Sequence, residues 1–130
     1  MDLSDRIKGL AHIGLRVRDH GRAVAFYEQF GFRLLWGPHG PDRVSAMVHP
    51  SGLELNFIVN AGVDGPNVLM DAPEKHAGIT HIALRIDSVA ETEAMLSARG
   101  IAVSGRRGAD PVQAVFIRDP DLNVIELAAD

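Results

Sequence analysis

The heptapeptide Thr-His-Ile-Ala-Leu-Arg-Ile at residues 80–86 repeats, almost letter for letter, the heptapeptide Ala-His-Ile-Gly-Leu-Arg-Val at residues 11–17. Their histidines, His12 and His81, are separated by an offset of 69 positions, which also relates the neighbouring leucines and arginines. An internal duplication is the simplest cause of such a match, and a repeat of this kind governs the interpretation of the whole fold. We therefore predict a chain built from two related halves.

The repeat extends to the end of each half. The offset slips by three, so that Leu-Glu-Leu at residues 53–55 falls on Ile-Glu-Leu at residues 125–127. Each half therefore opens on a strand histidine and finishes near a strand glutamate, Glu54 in the first half and Glu126 in the second. Two histidines and two carboxylates are related by this predicted pseudo-symmetry.

Hydrophobic patterning predicts the order β-α-β-β-β in each half. Residues 10–17 alternate between apolar and polar side chains, as a half-buried strand does. The helix that follows is capped by Asp19 or His20 and ends at Gly31. The other predicted strands cover 32–36, 43–48, 53–59, 79–86, 101–104, 112–118 and 123–128. A second helix is predicted over 88–98, with Val89, Thr92, Met95 and Leu96 inward.

These elements predict an α+β fold of two tandem βαβββ modules within a single domain spanning residues 1–130. The modules cover about 9–59 and 79–128, with a linker over 60–78. Because only the leucine, isoleucine and valine faces of the strands offer an apolar surface, both helices are expected to cover those faces. The polar faces then form an open, cup-like mixed β-sheet, with the helices on its outer face.

The composition of the chain excludes some classes of site and of binding partner. At 130 residues the chain is long enough to bury about two thirds of its unfolded surface. It has no cysteine, which excludes thiolate ligands and favours a reducing compartment, so we expect a cytoplasmic protein. The net charge is -4 and no apolar run approaches membrane-spanning length, so neither nucleic acid nor a membrane is an expected partner.

Four residues on the predicted polar faces suggest a metal site. A single strand histidine is often a packing residue, and a single strand glutamate often faces solvent, but two of each at repeated positions favour a common role. If the polar face is partly closed to solvent, ionised carboxylates on it need a compensating charge, and a divalent cation would supply that charge. Imidazoles and carboxylates suit one Zn, Ni, Co, Mn or Fe(II) ion with positions left for substrate. The four candidate ligands are His12, Glu54, His81 and Glu126.

Motifs over residues 9–128 resemble the vicinal oxygen chelate superfamily, which includes glyoxalases, bleomycin resistance proteins and extradiol dioxygenases. They are the two histidine heptapeptides, Ala-Phe-Tyr-Glu-Gln-Phe-Gly-Phe at residues 25–32, and Asp-Pro-Asp-Leu-Asn-Val-Ile-Glu-Leu at residues 119–127. The resemblance implies paired βαβββ modules around one metal, with ligands on the first, fourth, fifth and eighth strands. It also implies a homodimer, and leaves open whether the site lies within one chain or is shared.

The full His, Glu, His, Glu set is similar to that of bacterial-type glyoxalase I, since extradiol dioxygenases have no ligand at the place of Glu54. The resemblance implies that a hemithioacetal or another 2-hydroxycarbonyl compound chelates the metal while Glu126 moves a proton, with Glu54 as the second catalytic carboxylate. Candidate substrate-binding residues are Arg16, Asn56, Arg85 and Trp36.

One segment departs from the glyoxalase pattern. Residues 109–114 lack the Gly-Gly-Thr-Thr-like run and the nearby lysine that receive a glutathione carboxylate in that enzyme. Arg106 and Arg107 either replace this charge or form a solvated turn. The alternatives are a related metalloenzyme, such as an epimerase, thiol transferase or dioxygenase, and a metal-free resistance protein that sequesters a ligand.

Overall fold

The computed structural model describes residues 2–62 and 65–130, which fall into two compact units, 1–64 and 65–130. Each unit has the predicted βαβββ order, and unit 1 also begins with a short 3-10 helix, Leu3–Asp5. Unit 1 contains β1 (Ile13–Arg16), α1 (His20–Glu28), β2 (Arg33–His39), β3 (Val44–Val48) and β4 (Glu54–Ile58). Unit 2 contains β5 (His81–Arg85), α2 (Val89–Ala98), β6 (Gly105–Arg107), β7 (Ala114–Arg118) and β8 (Val124–Ala128).

Each unit has one four-stranded mixed sheet. The strand order is β1-β4-β3-β2 in unit 1 and β5-β8-β7-β6 in unit 2. The first strand of each unit runs parallel to the last, and the other neighbours are antiparallel. The predicted α+β class with two modules of the same topology is confirmed. No helix in the described ranges is long and apolar enough to cross a membrane.

Helix α1 packs on the apolar face of its sheet, as predicted. Asp19 is the N-cap, and its side chain accepts a hydrogen bond from the backbone N–H of Arg22. Tyr27, only 2% exposed, contacts the rings of Phe32 and Phe57 at centroid distances of 5.7 and 5.5 Å. Burial of such aromatic side chains fixes the helix to the sheet and leaves the other face of β4 for polar residues.

Helix α2 begins after Ser88, whose hydroxyl accepts a hydrogen bond from the backbone N–H of Glu91. Leu96 is 3% exposed and anchors the helix, as predicted. The prediction that Met95 faces inward is wrong, because this side chain is 58% exposed. Leu96 is the only buried residue of α2, Val89 and Thr92 are half-buried, and the flexible Met95 side chain lies outside this stripe.

Two predicted strand boundaries need correction. No strand forms over 101–104, because the N–H of Ile101 is bonded to the carbonyl of Leu96 at the end of α2. Pairing with β7 starts only at Ser104, whose N–H donates to the carbonyl of Phe116, and the strand follows at Gly105–Arg107. Strand β2 extends to His39, beyond the predicted end at residue 36.

The segment before β5 is tied to unit 2 by an ion pair. Arg118 donates to both carboxylate oxygens of Asp71, at 2.8 and 2.9 Å, and to the carbonyl of Leu122. Asn67 donates to the same carbonyl from within the segment. The Arg118 guanidinium holds the pKa of Asp71 below its ordinary value. Part of the predicted linker is therefore fixed against the turn that precedes β8.

Gly37 is required by a close backbone approach in β2. Its φ is +91°, and an added Cβ would lie 2.5 Å from the carbonyl oxygen of Val44 and 2.7 Å from the Cα of Ser45. We expect Gly37→Ala to lower the free energy of unfolding by more than the roughly 1–2 kcal/mol of backbone strain alone, because backbone atoms must also shift. Urea denaturation measures the change.

Gly40→Ala is the matched control for this prediction. Gly40 also has a positive φ, +76°, but nothing lies within 4 Å of the position that its Cβ would take. Substitution of Gly40 by alanine should therefore lower the free energy of unfolding only by the cost of backbone strain, about 1–2 kcal/mol. Equal destabilisation by the two alanines would contradict the role that we assign to the close approach at Gly37.

Candidate active site

The pairing register changes the predicted correspondence between the glutamates. In unit 2, His81 is paired with Val124 and Ala83 with Glu126. In unit 1, Gly14 is paired with Asn56. Since Gly14 is the repeat counterpart of Ala83, the position of Glu126 in unit 1 is occupied by Asn56, and the predicted equivalence of Glu54 with Glu126 is wrong by two residues.

This two-residue shift leaves all the candidate carboxylates on polar faces. Side chains in a strand alternate with a period of two, so Glu54 and Asn56 share one face of β4 while Leu55 and Phe57 are buried on the other. The matching tripeptides do not determine the register, because an apolar-polar-apolar pattern fits any strand with one polar face. Ladder hydrogen bonds, which decide the register, have no short sequence signature.

In unit 1, His12 and Glu54 lie at the start of neighbouring strands. His12 immediately precedes β1 and is exposed, and Glu54 is the first residue of β4 and is half-buried. Ile13 is paired with Leu55, so His12 and Glu54 come one residue before the first pair of the parallel ladder. Within residues 2–62 and 65–130, Glu54 has no hydrogen-bond or ion-pair partner.

Asn56 presents an unsatisfied acceptor on the same face of β4. Its Oδ1 atom is buried and has no hydrogen-bond partner among the described residues. The ladder neighbours of Asn56 are Gly14 and Ala46, so no large side chain flanks it along the sheet. A buried carbonyl oxygen without a donor costs about 1–3 kcal/mol, and a bound ligand or ion would remove that cost.

In unit 2, His81 and Glu126 are in contact. The Nε2 atom of His81 lies 3.2 Å from Oε1 of Glu126, and their side chains are 38% and 10% exposed. The other ring nitrogen, Nδ1, is 2.9 Å from the hydroxyl of Thr80. The register explains the contact, because Glu126 lies on the strand next to β5, two residues beyond the partner of His81. A histidine and a nearly buried carboxylate thus meet on one polar face.

Glu126 also accepts hydrogen bonds from an arginine, a contact that the sequence did not predict. Arg107 donates from Nε and Nη2 to Oε2 of Glu126, at 3.0 and 2.8 Å. Arg106 points elsewhere and is paired with Glu93. Both arginines lie in strand β6, so of the two alternatives the solvated turn is wrong. Only the pairing of β6 with β7 brings Arg107 to this face, a long-range contact without a local motif.

A cavity of about 180 Å³ adjoins this pair in unit 2. Its polar lining residues are Arg85, Arg107, Glu126 and Asp130. Arg85 has no hydrogen-bond or ion-pair partner within the described ranges, whereas its repeat counterpart Arg16 donates from Nε to Oδ1 of Asn60 at 2.8 Å. Of the two arginines predicted to bind substrate, Arg85 is therefore the one next to a cavity, which Asp130 also lines. Arg107 and, more weakly, Arg85 hold the pKa of the Asp130 carboxyl below its ordinary value.

Trp36, the remaining candidate for substrate binding, lies on β2 and is 39% exposed. Its ring stacks on His39 at a centroid distance of 6.1 Å and an interplanar angle of 4°. Met47 and Phe57, on the neighbouring strands, are fully buried and belong to the core. Trp36 therefore offers an aromatic surface rather than core packing.

The residue types are compatible with a metal ion, although no group of three or more His, Cys, Asp or Glu side chains that could hold one lies together among the described residues. The Nε2 atom of His81 and the Oε1 atom of Glu126 lie 3.2 Å apart, a separation that two donor atoms of one ion can also have. Imidazole and carboxylate donors suit the divalent ions expected from the sequence.

Two βαβββ units, each with a histidine at its first strand and polar donors on its last, define a protein of the vicinal oxygen chelate class. A family model described as the Glyoxalase/Bleomycin resistance protein/Dioxygenase superfamily matches residues 9–127. The chain belongs to this superfamily. No curated protein matches it.

Solved structures with the same fold include an antibiotic binding protein, an antibiotic resistance protein and a glyoxalase family protein. TnmS3, an antibiotic binding protein from Streptomyces sp. CB03234, is 28% identical, with 95% of this chain and 96% of that chain covered and a TM-score of 0.71. A mutant of the fosfomycin resistance protein FosX from Listeria monocytogenes, complexed with Mn(II) and 1S,2S-dihydroxypropylphosphonic acid, is 21% identical (95% and 92% covered, TM-score 0.72). A glyoxalase family protein from Enterococcus faecalis is 23% identical (95% and 98% covered, TM-score 0.74).

Proposed function

We propose that this protein is a metal-dependent enzyme of glyoxalase type. Its substrate is a small 2-hydroxycarbonyl compound or hemithioacetal, isomerised by proton transfer between adjacent carbons. The proposed ligands of one Zn, Ni, Co, Mn or Fe ion are His12, Glu54, His81 and Glu126. The observation that carries the proposal is the 3.2 Å approach of His81 Nε2 to Glu126 Oε1 on a nearly buried polar face.

The bound ion would supply Lewis-acid stabilisation of negative charge on two vicinal substrate oxygens. Glu126 would accept and return the proton through Oε1, because its Oε2 atom is engaged by Arg107. Glu54, which has no partner among the described residues, is the second carboxylate available for proton transfer. Thr80 would keep the imidazole of His81 in one orientation through its hydroxyl.

Three further side chains would bind the substrate. Arg85 would pair with an anionic group of the substrate from the edge of the cavity beside Glu126. The buried Oδ1 atom of Asn56 would accept a hydrogen bond from a substrate hydroxyl. Trp36 would cover an apolar part of the substrate with its exposed ring face.

Metal content per chain is the first test. The protein should be purified without chelator and without an affinity metal, and analysed by elemental analysis before and after dialysis against each ion. Near one ion per chain supports the proposal, with iron favouring oxygenation and the other ions favouring isomerisation. The loaded protein is then assayed with hemithioacetals of methylglyoxal and several thiols, because the glutathione-binding run is missing. No metal after dialysis would overturn the proposal.

A second candidate function is the sequestration of a small ligand without catalysis. The ion pair between Arg107 and Glu126 favours it, because the guanidinium compensates the buried carboxylate without a metal. The similarity to TnmS3, an antibiotic binding protein, gives further support. Trp36 is the only tryptophan of the chain, so its fluorescence reports binding at one place. Saturable quenching by an aromatic antibiotic in metal-free protein, with the compound recovered unchanged, would favour this function over catalysis.

We also propose a homodimer, as the family resemblance implies. Light scattering with size-exclusion chromatography gives the mass directly, and the 14.0 kDa chain makes monomer and dimer easy to separate. A monomer at all concentrations would contradict this proposal, without bearing on the metal ligands.

A further inference from the structure

Arg107 is held by three acceptors from three segments of unit 2. It donates twice to Oε2 of Glu126, once to Oδ1 of Asp130 at 3.0 Å, and once to Oε1 of Gln113 at 3.2 Å. Each of its three nitrogens is therefore engaged. Asp130 and Glu126, through these hydrogen bonds, raise the pKa of Arg107 above its ordinary value. A guanidinium fixed in this way is a rigid support rather than a mobile surface charge.

The contact with Glu126 is one-sided. Both Arg107 donors reach Oε2, and the remaining oxygen, Oε1, lies 3.2 Å from Nε2 of His81. The glutamate side chain is only 10% exposed, so an uncompensated charge there would be costly. Arg107 thus neutralises the carboxylate and at the same time fixes which oxygen faces the histidine.

Unit 1 has no such arrangement at the corresponding positions. The place of Glu126 is taken by the neutral Asn56, and the place of Arg107, opposite the first residue of the neighbouring strand, is taken by His39. His39 stacks on Trp36 instead. An arginine occurs where the buried polar residue is a carboxylate, and not where it is an amide. This correlation within one chain connects the arginine with the charge of Glu126.

We propose that Arg107 is a positioning residue for Glu126, which orients Oε1 toward His81 before a metal ion or substrate binds. The predicted effect of Arg107 on metal affinity rests on the proposed function. The predicted effect of Arg107 on the position of Glu126 in metal-free protein is independent of the proposed function. Asp130 and Gln113 belong to the same support, because they hold the two outer nitrogens of the guanidinium.

The test compares three variants. Arg107→Met removes the donors and keeps an apolar stem, and Arg107→Lys keeps the charge but not the planar fork. Arg106→Met is the matched control, because Arg106 is adjacent in the same strand but pairs with Glu93. Crystal structures of the metal-free variants measure the distance from Glu126 Oε1 to His81 Nε2, and titration calorimetry with Zn and Mn measures metal affinity.

We expect Arg107→Met to displace Oε1 from His81 and to weaken metal binding by about 10- to 100-fold, as loss of an outer-shell partner does. Arg107→Lys should be intermediate, and Arg106→Met should match the wild type. An unchanged distance in Arg107→Met, or an unchanged metal affinity, would overturn the inference. If Arg107→Met does not fold, the same two criteria are applied to Arg107→Lys.

The two proposals fail in different ways. Wild-type protein that binds no metal would refute the metal centre, and the metal-free crystal structures alone would then decide the role of Arg107. Displacement of Glu126 in Arg107→Met would support that role, and retention of its position would refute it. Wild-type protein that binds metal, together with an Arg107→Met variant that binds equally well, would refute only the role of Arg107.

Discussion

Replacement of Glu126 by glutamine is expected to lower the turnover of the metal-loaded enzyme by about 10²- to 10⁴-fold, the usual range for loss of a general acid or base. The amide keeps the shape of the side chain and can still accept hydrogen bonds from Arg107 through its oxygen. It has no proton acceptor that could replace Oε1 beside His81. The fold should persist, since Asp130 continues to pair with Arg107.

The measurement is steady-state turnover of a hemithioacetal, with circular dichroism and thermal unfolding as checks on the fold. Glu93→Gln is the control, because Glu93 is a glutamate of the same unit whose partner is Arg106. It should retain wild-type turnover. Full activity in Glu126→Gln would exclude Glu126 as the base and leave Glu54 as the remaining carboxylate.

The two-module fold was predictable because the duplication presents the same local sequence patterns twice in one chain. The heptapeptides at residues 11–17 and 80–86 identified β1 and β5, and their spacing fixed the order of the other elements. Caps such as Asp19 and the apolar stripe containing Tyr27 are local features, and the structure contains both. The polar faces carrying the candidate ligands follow from strand alternation alone.

The correspondence between the two modules was not predictable to the residue. Glu54 and Asn56 are both on the polar face of β4, and a pattern of period two is unchanged by a shift of two residues. The choice between them depends on which backbone groups pair with β1. In the structure, the N–H of Val17 bonds the carbonyl of Ile58, and the N–H of Ile86 bonds that of Ala128.

Arg107 shows a different limit of sequence reasoning. From the sequence, the Arg-Arg pair had two interpretations, a receptor for a cosubstrate carboxylate or a solvated turn. Arg107 instead contacts Glu126, a residue 19 positions away, across two strand pairings. Contacts of this kind depend on side-chain reach across a sheet, for which neither spacing nor composition is informative.

The two carboxylates therefore differ in freedom. Glu126 is fixed by Arg107 and directed at His81, whereas Glu54 has no partner among the residues that the structure describes. A carboxylate fixed in this way presents Oε1 at a constant position, whereas an unpartnered carboxylate can change its position without breaking existing contacts. Within the proposed site, this asymmetry predicts that Glu54 and Glu126 are not interchangeable, although the sequence treated them as equivalents.

His12→Ala is the second substitution with a large expected effect. His12 is exposed and has no packing role, so the change should alter the free energy of unfolding by no more than about 0.5 kcal/mol. Loss of a direct ligand should nevertheless weaken metal binding by more than the roughly 10- to 100-fold that follows loss of an outer-shell partner. Elemental analysis and calorimetric titration of the dialysed variant measure both occupancy and affinity.

His76→Ala is the matched control, because His76 is also exposed but lies outside the strands, in the segment before β5. It should bind metal as the wild type does. Full occupancy in His12→Ala would exclude His12 as a ligand of the metal ion. The His81 and Glu126 pair would remain, and with it the inference that Arg107 orients Glu126, because that support is built entirely within unit 2.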